Sequence, residues 1–159
     1  MIDVFLLLGS NLGDRKGLLD RAIAHIETEI GPVERRSSVY ETQSWGKTDE
    51  PNYLNQVIQL RTELAAPNIL QKILNIEKTM GRVREEKWGS RIIDIDILFY
   101  GQDIIAEPGL HVPHPELQNR MFTLAPLSEL APDLHHPVLK KSIFELKSEL
   151  KDDLIVKKL

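Results

Sequence analysis

The chain has 159 residues, 42% of them apolar, a net charge of −4 and no cysteine. Its length predicts one domain spanning 1–159 with enough chain for a real core. The negative balance argues against a nucleic-acid binder that works through a broad basic surface. The lack of cysteine excludes a disulfide framework and thiolate chemistry, and fits a cytoplasmic protein. No apolar run approaches the length of a membrane span, and Met1-Ile2-Asp3-Val4 carries no basic leader.

Taken in order, residues 2–8 are nearly all apolar and predict a buried strand. Gly9-Ser10-Asn11-Leu12-Gly13-Asp14 turns into a helix, with Ser10, Asn11 and Asp14 as possible caps. The turn lacks the Lys-Ser/Thr of a phosphate loop, so its reading is structural. Leu18, Leu19, Ala22, Ile23, Ile26 and Ile30 recur at helical spacing, and Gly31-Pro32 stops that helix. Val33 to Tyr40 predicts a second, more polar strand near an edge. Residues 41–52 form a long polar loop in which Trp45 is either a satellite of the core or a cover for a ligand. Tyr53 to Thr62 alternates as a third strand, with Leu54, Ile58 and Leu60 on one face and Tyr53, Asn55 and Val57 on the other.

Ala66-Pro67-Asn68 opens a second helix whose apolar face is Ile69, Leu70, Ile73, Leu74, Ile76 and Met80. Glu77 lies on that face, where a carboxylate needs a partner; Arg82 and Arg84 are within reach in sequence. Gly81 ends the helix. Beyond residue 100, Pro108, Pro113 and Pro115 break the chain into short extended pieces. Short helices are predicted over 121–130 and 142–150, with a marginal charged tail after Lys151. His135-His136 reads as loop, since no further ligands flank it at a metal spacing.

The most informative stretch is Gly81 to Tyr100, GRVREEKWGSRIIDIDILFY. Its second half predicts a strand that puts Asp94 and Asp96 on one face and Ile93, Ile95, Ile97 and Phe99 on the other. The aspartates lie about 6.6 Å apart along such a strand. Carboxylates this close repel unless a cation lies between or above them. Arg82, Arg84, Lys87 and Arg91 sit in the segment that leads to them. A basic loop running into a carboxylate pair suits a metal-bound polyphosphate. A solvated strand face with salt bridges is the plainer alternative. The strand's apolar character weighs against it, because a half-buried carboxylate needs partners.

The order strand, helix, strand, strand, helix, strand is the βαββαβ pattern of a ferredoxin-like α+β sandwich, here with a C-terminal extension. Its helices cover one sheet face and leave the other free for a site.

Several ordered segments then carry a resemblance. They are Gly9-Ser10-Asn11-Leu12, Pro51-Asn52-Tyr53-Leu54-Asn55, Gly81-Arg82-Val83-Arg84, the run from Lys87 to Leu98 (KWGSRIIDIDIL), Val112-Pro113-His114 and Asn119-Arg120-Met121-Phe122. With them the chain resembles the 6-hydroxymethyl-7,8-dihydropterin pyrophosphokinase family along essentially its whole length. The resemblance implies transfer of the β,γ-diphosphate of ATP onto a hydroxymethyl-dihydropterin in tetrahydrofolate biosynthesis, assisted by two Mg²⁺ ions. It implies that Asp94 and Asp96 hold the metals, and that Arg82 and Arg91 stabilise the polyphosphate in the transition state. Glu77, Arg84, Lys87, Trp88, Arg91, Ile97, His111, His114 and Arg120 would serve the nucleotide. Thr42, Trp45, Tyr53, Asn55 and Phe122 would serve the pterin. The implied partners are those two small molecules alone, with no nucleic acid or membrane and a monomeric protein. Known members carry glutamine where this chain has Leu74, arginine at Gly109 and threonine at His111, and a proline-rich version of the Gln43-Ser44-Trp45 segment. Two rivals differ in class: a palm-type nucleotidyl transferase or cyclase that would release pyrophosphate, and a non-catalytic ligand-binding module that would need neither the aspartates nor the arginines.

Overall fold

The structure, a computed structural model, describes residues 1–42, 52–81, 92–151 and 156–159. Among these residues eight strands and four α-helices follow one another as β1 (Ile2–Ser10), α1 (Arg15–Glu29), β2 (Val33–Arg36), β3 (Tyr40–Thr42), β4 (Tyr53–Thr62), α2 (Ala66–Thr79), β5 (Asp94–Tyr100), β6 (Ile105–Glu107), β7 (Leu110–Val112), α3 (Met121–Leu130), α4 (Ile143–Glu149) and β8 (Val156–Lys158). The class is α+β. The main sheet is antiparallel and runs β5-β1-β4-β3-β8, with β2 also paired to β4; β6 and β7 form a separate hairpin. No helix among the described residues is long and apolar enough to cross a membrane.

Local chemistry explains the boundaries. Asp14 caps α1, its carboxylate accepting from the Gly17 amide at 3.3 Å. Pro67 occupies the first turn of α2, where its missing N–H leaves no bond unmade. Ser142 and Glu145 close a reciprocal capping box on α4. The predicted strand over 33–40 is broken into two, β2 and β3, and both fragments pair with β4. Ser37 is the break: its hydroxyl takes the Val57 amide at 3.0 Å, and its carbonyl accepts from the Gln56 side chain at 2.7 Å. Side chains there replace part of the backbone ladder.

Two cores sandwich the sheet. On one face Val4, Leu6, Leu8, Leu54, Ile58, Leu60, Ile93, Ile95 and Ile97 meet the apolar faces of α1 and α2. On the other, Phe5, Leu7, Val57, Leu98 and Phe99 meet Leu124, Leu127 and Leu130 of α3 and Ile143 and Leu146 of α4. Each such side chain, fully buried, contributes roughly 1.5–3 kcal/mol of transfer free energy. The face expected to be free is therefore largely covered by the C-terminal helices. Phe99 also departs from expectation. The β1–β5 register shifts between Phe5 and Leu6, which pair with Phe99 and Ile97, so Leu98 is an extra residue on β5. This bulge turns Phe99 into the second core, edge-on to Phe5 at 6.2 Å.

The tail after Lys151 does more than the sequence suggested, since β8 pairs with β3. Glu129 of α3 helps secure that edge. It accepts from the Tyr40 hydroxyl at 2.7 Å and from the Ser38 amide at 2.9 Å, and lies 3.6 Å from the Lys158 ammonium. Burial, with the bond to Glu129 behind it, holds the Tyr40 hydroxyl protonated far above the usual tyrosine range.

Candidate active site

The site assembles where the second core ends. Residues directly opposite in antiparallel strands share a face. Asp94 stands opposite Gly9, Gly9 opposite Asn55, and Asn55 opposite Tyr40; Asp96 stands opposite Leu7, itself opposite Val57. Leu7 and Val57 belong to the second core, whereas Asp94, Gly9 and Asn55, one step nearer the strand ends, belong to neither apolar core among the described residues. Asp94 and Asp96 are both half-buried there.

Gly9 makes the centre of that row a gap. A Cβ at this position would lie 2.7 Å from Asn55 Nδ2. The Asn55 amide fills part of the space, donating to the Leu8 carbonyl at 3.3 Å. Neighbouring strands are about 4.8 Å apart, so Asp94 and Asn55 flank a slot roughly 10 Å across at backbone level. Tyr53 lies two residues before Asn55, half-buried on the same face and opposite Thr42 in the last described rung of the β3–β4 ladder. Thr42 is buried, and its hydroxyl has no hydrogen-bond partner among the described residues.

A third wall comes from residues 112–122. The Val112–Pro113 peptide is cis, and the His114 amide donates to the Leu98 carbonyl at 3.1 Å. His114 Nδ1 accepts from the Glu116 amide at 3.1 Å. Burial and then the positive charge of Arg120 push the imidazole below its ordinary range, against the opposing pull of Glu116 and Asp94. A neutral ring with Nδ1 accepting carries its proton on Nε2. Arg120 lies 5.5 Å over the Phe122 ring, and Phe122 packs at the margin of the second core.

Glu77 is 2% exposed, and its Oε2 accepts from the Ile95 amide at 2.9 Å. One of its partners is thus the backbone between the two aspartates. Arg82 and Arg84, the partners expected from the sequence, lie outside the described residues, as do Trp45, Lys87, Trp88 and Arg91. Ile97 is 7% exposed and its side chain belongs to the first core, on the face away from the aspartates. His111 is exposed on β7, opposite Ala106. Leu74 is partly exposed on α2, and Gly109 takes a positive φ of 78° in the β6–β7 turn, a conformation that suits glycine better than a residue with a side chain. The structure thus brings together Asp94, Asp96, Asn55, Tyr53, Thr42, His114, Arg120 and Phe122. Sequence reading passed over Gly9 as a turn residue; its signal lies in the cross-strand register, which the sequence does not display.

The donor set of the aspartate pair is all oxygen, from adjacent carboxylates on one face, and suits a hard divalent cation such as Mg²⁺. Comparison with known proteins gives the family. A family model described as 7,8-dihydro-6-hydroxymethylpterin-pyrophosphokinase matches residues 5–132. The 2-amino-4-hydroxy-6-hydroxymethyldihydropteridine pyrophosphokinase of Aquifex aeolicus is 43% identical over 149 residues, which is 94% of this chain and 92% of the relative. The protein of that name from Haemophilus influenzae is 37% identical over 158 residues, 99% of this chain and 98% of the relative. In fold, the chain is similar to wild-type Plasmodium falciparum HPPK-DHPS crystallised with STZ-DHP, with a TM-score of 0.75 at 18% identity. That match takes in 93% of this chain but only 43% of the solved one. With a family model over most of its length and relatives of this identity, the chain belongs to the 7,8-dihydro-6-hydroxymethylpterin-pyrophosphokinase family.

Proposed function

We propose that this protein transfers the β,γ-diphosphate of ATP to the hydroxymethyl group of 6-hydroxymethyl-7,8-dihydropterin, a step in folate biosynthesis. The observation that carries the reading at the level of geometry is the row Asp94–Gly9–Asn55, which sets a carboxylate pair beside a slot of ring width. The substrate hydroxyl oxygen attacks the β-phosphorus. The bond from that phosphorus to the bridging oxygen of the α-phosphate breaks, AMP leaves with the electron pair, and the hydroxyl proton is released.

In this reading Asp94 and Asp96 would hold Mg²⁺, two ions being the expected number, and the metal would supply charge neutralisation on the phosphate oxygens. Asn55 offers both a donor and an acceptor to the edge of the pterin, and Tyr53 and Phe122 offer flat faces to its ring. The buried Thr42 segment completes that pocket. His114 offers Nε2–H, and Arg120 a guanidinium, to phosphate oxygens. Glu77 acts on the nucleotide side through the strand it holds. Arg82 and Arg91 are assigned to the transition state, and Arg84, Lys87, Trp88, Ile97 and His111 to the nucleotide, on the family resemblance, as Trp45 is to the pterin. We further read the core as ferredoxin-like. Counting β2 and β3 as one broken strand gives the βαββαβ order, with β5 beside β1, β1 beside β4 and the broken strand outside β4. The protein would act as a single-domain monomer in the cytoplasm.

Product analysis tests the reaction. The protein is incubated with ATP, Mg²⁺ and the dihydropterin, and the nucleotides are separated. AMP appearing one-for-one with a diphosphorylated pterin is the expected result. Pyrophosphate in place of AMP would overturn the reading in favour of a nucleotidyl transferase.

A further inference from the structure

Arg15 occupies a position that α1 alone does not explain. It is the first residue of the helix, whose first turn contains no acidic side chain. A cation there faces the positive end of the helix dipole, an unfavourable placement. Its side chain reaches away from the helix. Nη1 donates to the Asn52 carbonyl at 2.7 Å and to Glu41 Oε2 at 3.3 Å. Arg15 and Glu41 are both partly screened from water, at 29% and 28% side-chain exposure.

Those two partners stand on either side of one rung. Glu41 lies in β3, and Asn52 immediately precedes β4; between them Thr42 pairs with Tyr53 as the last rung among the described residues. This rung carries Thr42 and Tyr53, with Asn55 two residues further along β4. A single guanidinium anchored on α1 therefore ties both strands at the end that bears the ring-binding side chains.

We infer that Arg15 is a positioning residue for the pterin. It touches no reacting atom, and it acts by fixing the Asn52 carbonyl and Glu41, and through them Tyr53, Thr42 and Asn55. The inference rests on the pterin-kinase reading above. It goes further in assigning a specific role on the pterin side, and none on the ATP side, to a residue outside the slot.

The test compares steady-state kinetics of Arg15→Met and Arg15→Lys with wild type, varying each substrate separately. Loss of a charge-assisted bond between partly screened groups predicts that Arg15→Met raises the KM for the pterin about tenfold. The KM for ATP should stay within about twofold, and Arg15→Lys, which keeps a cationic donor, should recover most of the loss. Glu41→Gln should give a smaller rise, and the double variant Arg15→Met/Glu41→Gln less than the product of the two. Amide exchange at Tyr53 should quicken in Arg15→Met while that at Leu60 does not. An unchanged pterin KM, or equal losses for ATP and pterin, would overturn the assignment. Wild-type protein that makes no AMP would instead overturn the reaction on which it rests, and the amide exchange would still show whether Arg15 holds the rung.

Discussion

Replacing Glu77 tests how the aspartate strand is held. Among the described residues β5 ends the main sheet, so an amide on its outer side needs an acceptor from outside the ladder. Ile95 is 5% exposed, and an unpaired amide there would be costly; Glu77 supplies the acceptor at 2.9 Å from a side chain that is itself 2% exposed. A hydrogen bond to a charged group contributes about 1.5–3 kcal/mol, and a buried amide left unpaired costs about 1–3 kcal/mol. These overlap rather than add, so Glu77→Ala should destabilise the fold by about 2–4 kcal/mol. For a chain of this length that corresponds to a melting point lower by about 5–15 °C. Glu77→Gln keeps an oxygen in reach of the Ile95 amide and should lose only about 1 kcal/mol.

Chemical denaturation measures these losses, and amide exchange at Ile95 locates them. Exchange at Ile95 should accelerate strongly in Glu77→Ala and little in Glu77→Gln. Because Ile95 sits between Asp94 and Asp96, the alanine variant should also lose turnover out of proportion to its stability at assay temperature. The reasoning fails if the glutamine variant loses as much as the alanine one. The negative charge would then be what matters, as in a salt bridge to Arg82 or Arg84, and the acceptor role would be secondary.

Three further outcomes are expected. Asp96→Asn should abolish AMP formation and weaken Mg²⁺ binding, followed by calorimetry, while the melting point moves by less than a few degrees; retained activity would remove the metal assignment. Gly9→Ala drives a methyl group to 2.7 Å from Asn55 Nδ2, so the amide must shift; pterin affinity should fall about tenfold, with a stability loss of about 1–3 kcal/mol typical of overpacking, and unchanged pterin binding would refute the slot. His136 is buried, accepts from the Val138 and Leu139 amides at 3.2 and 3.1 Å, and is held below the ordinary histidine range by burial. The unfolded chain therefore takes up the proton first: its contribution to stability is complete above about pH 6.5 and is lost as pH falls through the lowered folded value. An NMR titration placing His136 at or above 6.5 would contradict this.

What the sequence revealed depended on how local the deciding interaction was. Helix α2 was legible from its apolar spacing and its proline, and β4 from its alternation, because both signals lie within the element. Asp94 and Asp96 stood out because carboxylates inside an apolar strand call for an explanation wherever the strand lies. The β2–β3 break was hidden, since it depends on Ser37 meeting Val57 and Gln56, some twenty residues away. β8 was hidden for another reason: Val156-Lys157-Lys158 has almost no apolar signal, and an edge strand of three residues needs only the backbone of β3 beside it. Arg15 gave no sign at all, because its partners lie 26 and 37 residues further along the chain.

The bulge at Leu98 links the two cores to the site. Before it, the chain into and along β5 alternates regularly, sending Ile93, Ile95 and Ile97 to α1 and α2 and the aspartates to the other face. After Asp96, the extra residue lets Leu98 and Phe99 both enter the second core, under α3 and α4. An inserted residue falls out of the regular ladder, which frees its carbonyl for another donor. Leu98 gives that carbonyl to the His114 amide at 3.1 Å. The same irregularity that seats Phe99 in the core thus anchors the segment carrying His114 and Arg120 beside Asp94, close enough that the charges of Asp94 and Arg120 both act on the imidazole. A regular strand would put Phe99 on the α1–α2 face and leave Leu98 bound in the ladder. Deleting Leu98 should therefore leave Phe99 opposite Phe5 while removing both an apolar side chain from the second core and the carbonyl that holds the His114 amide, a coupled loss that no single side-chain truncation in β5 would reproduce.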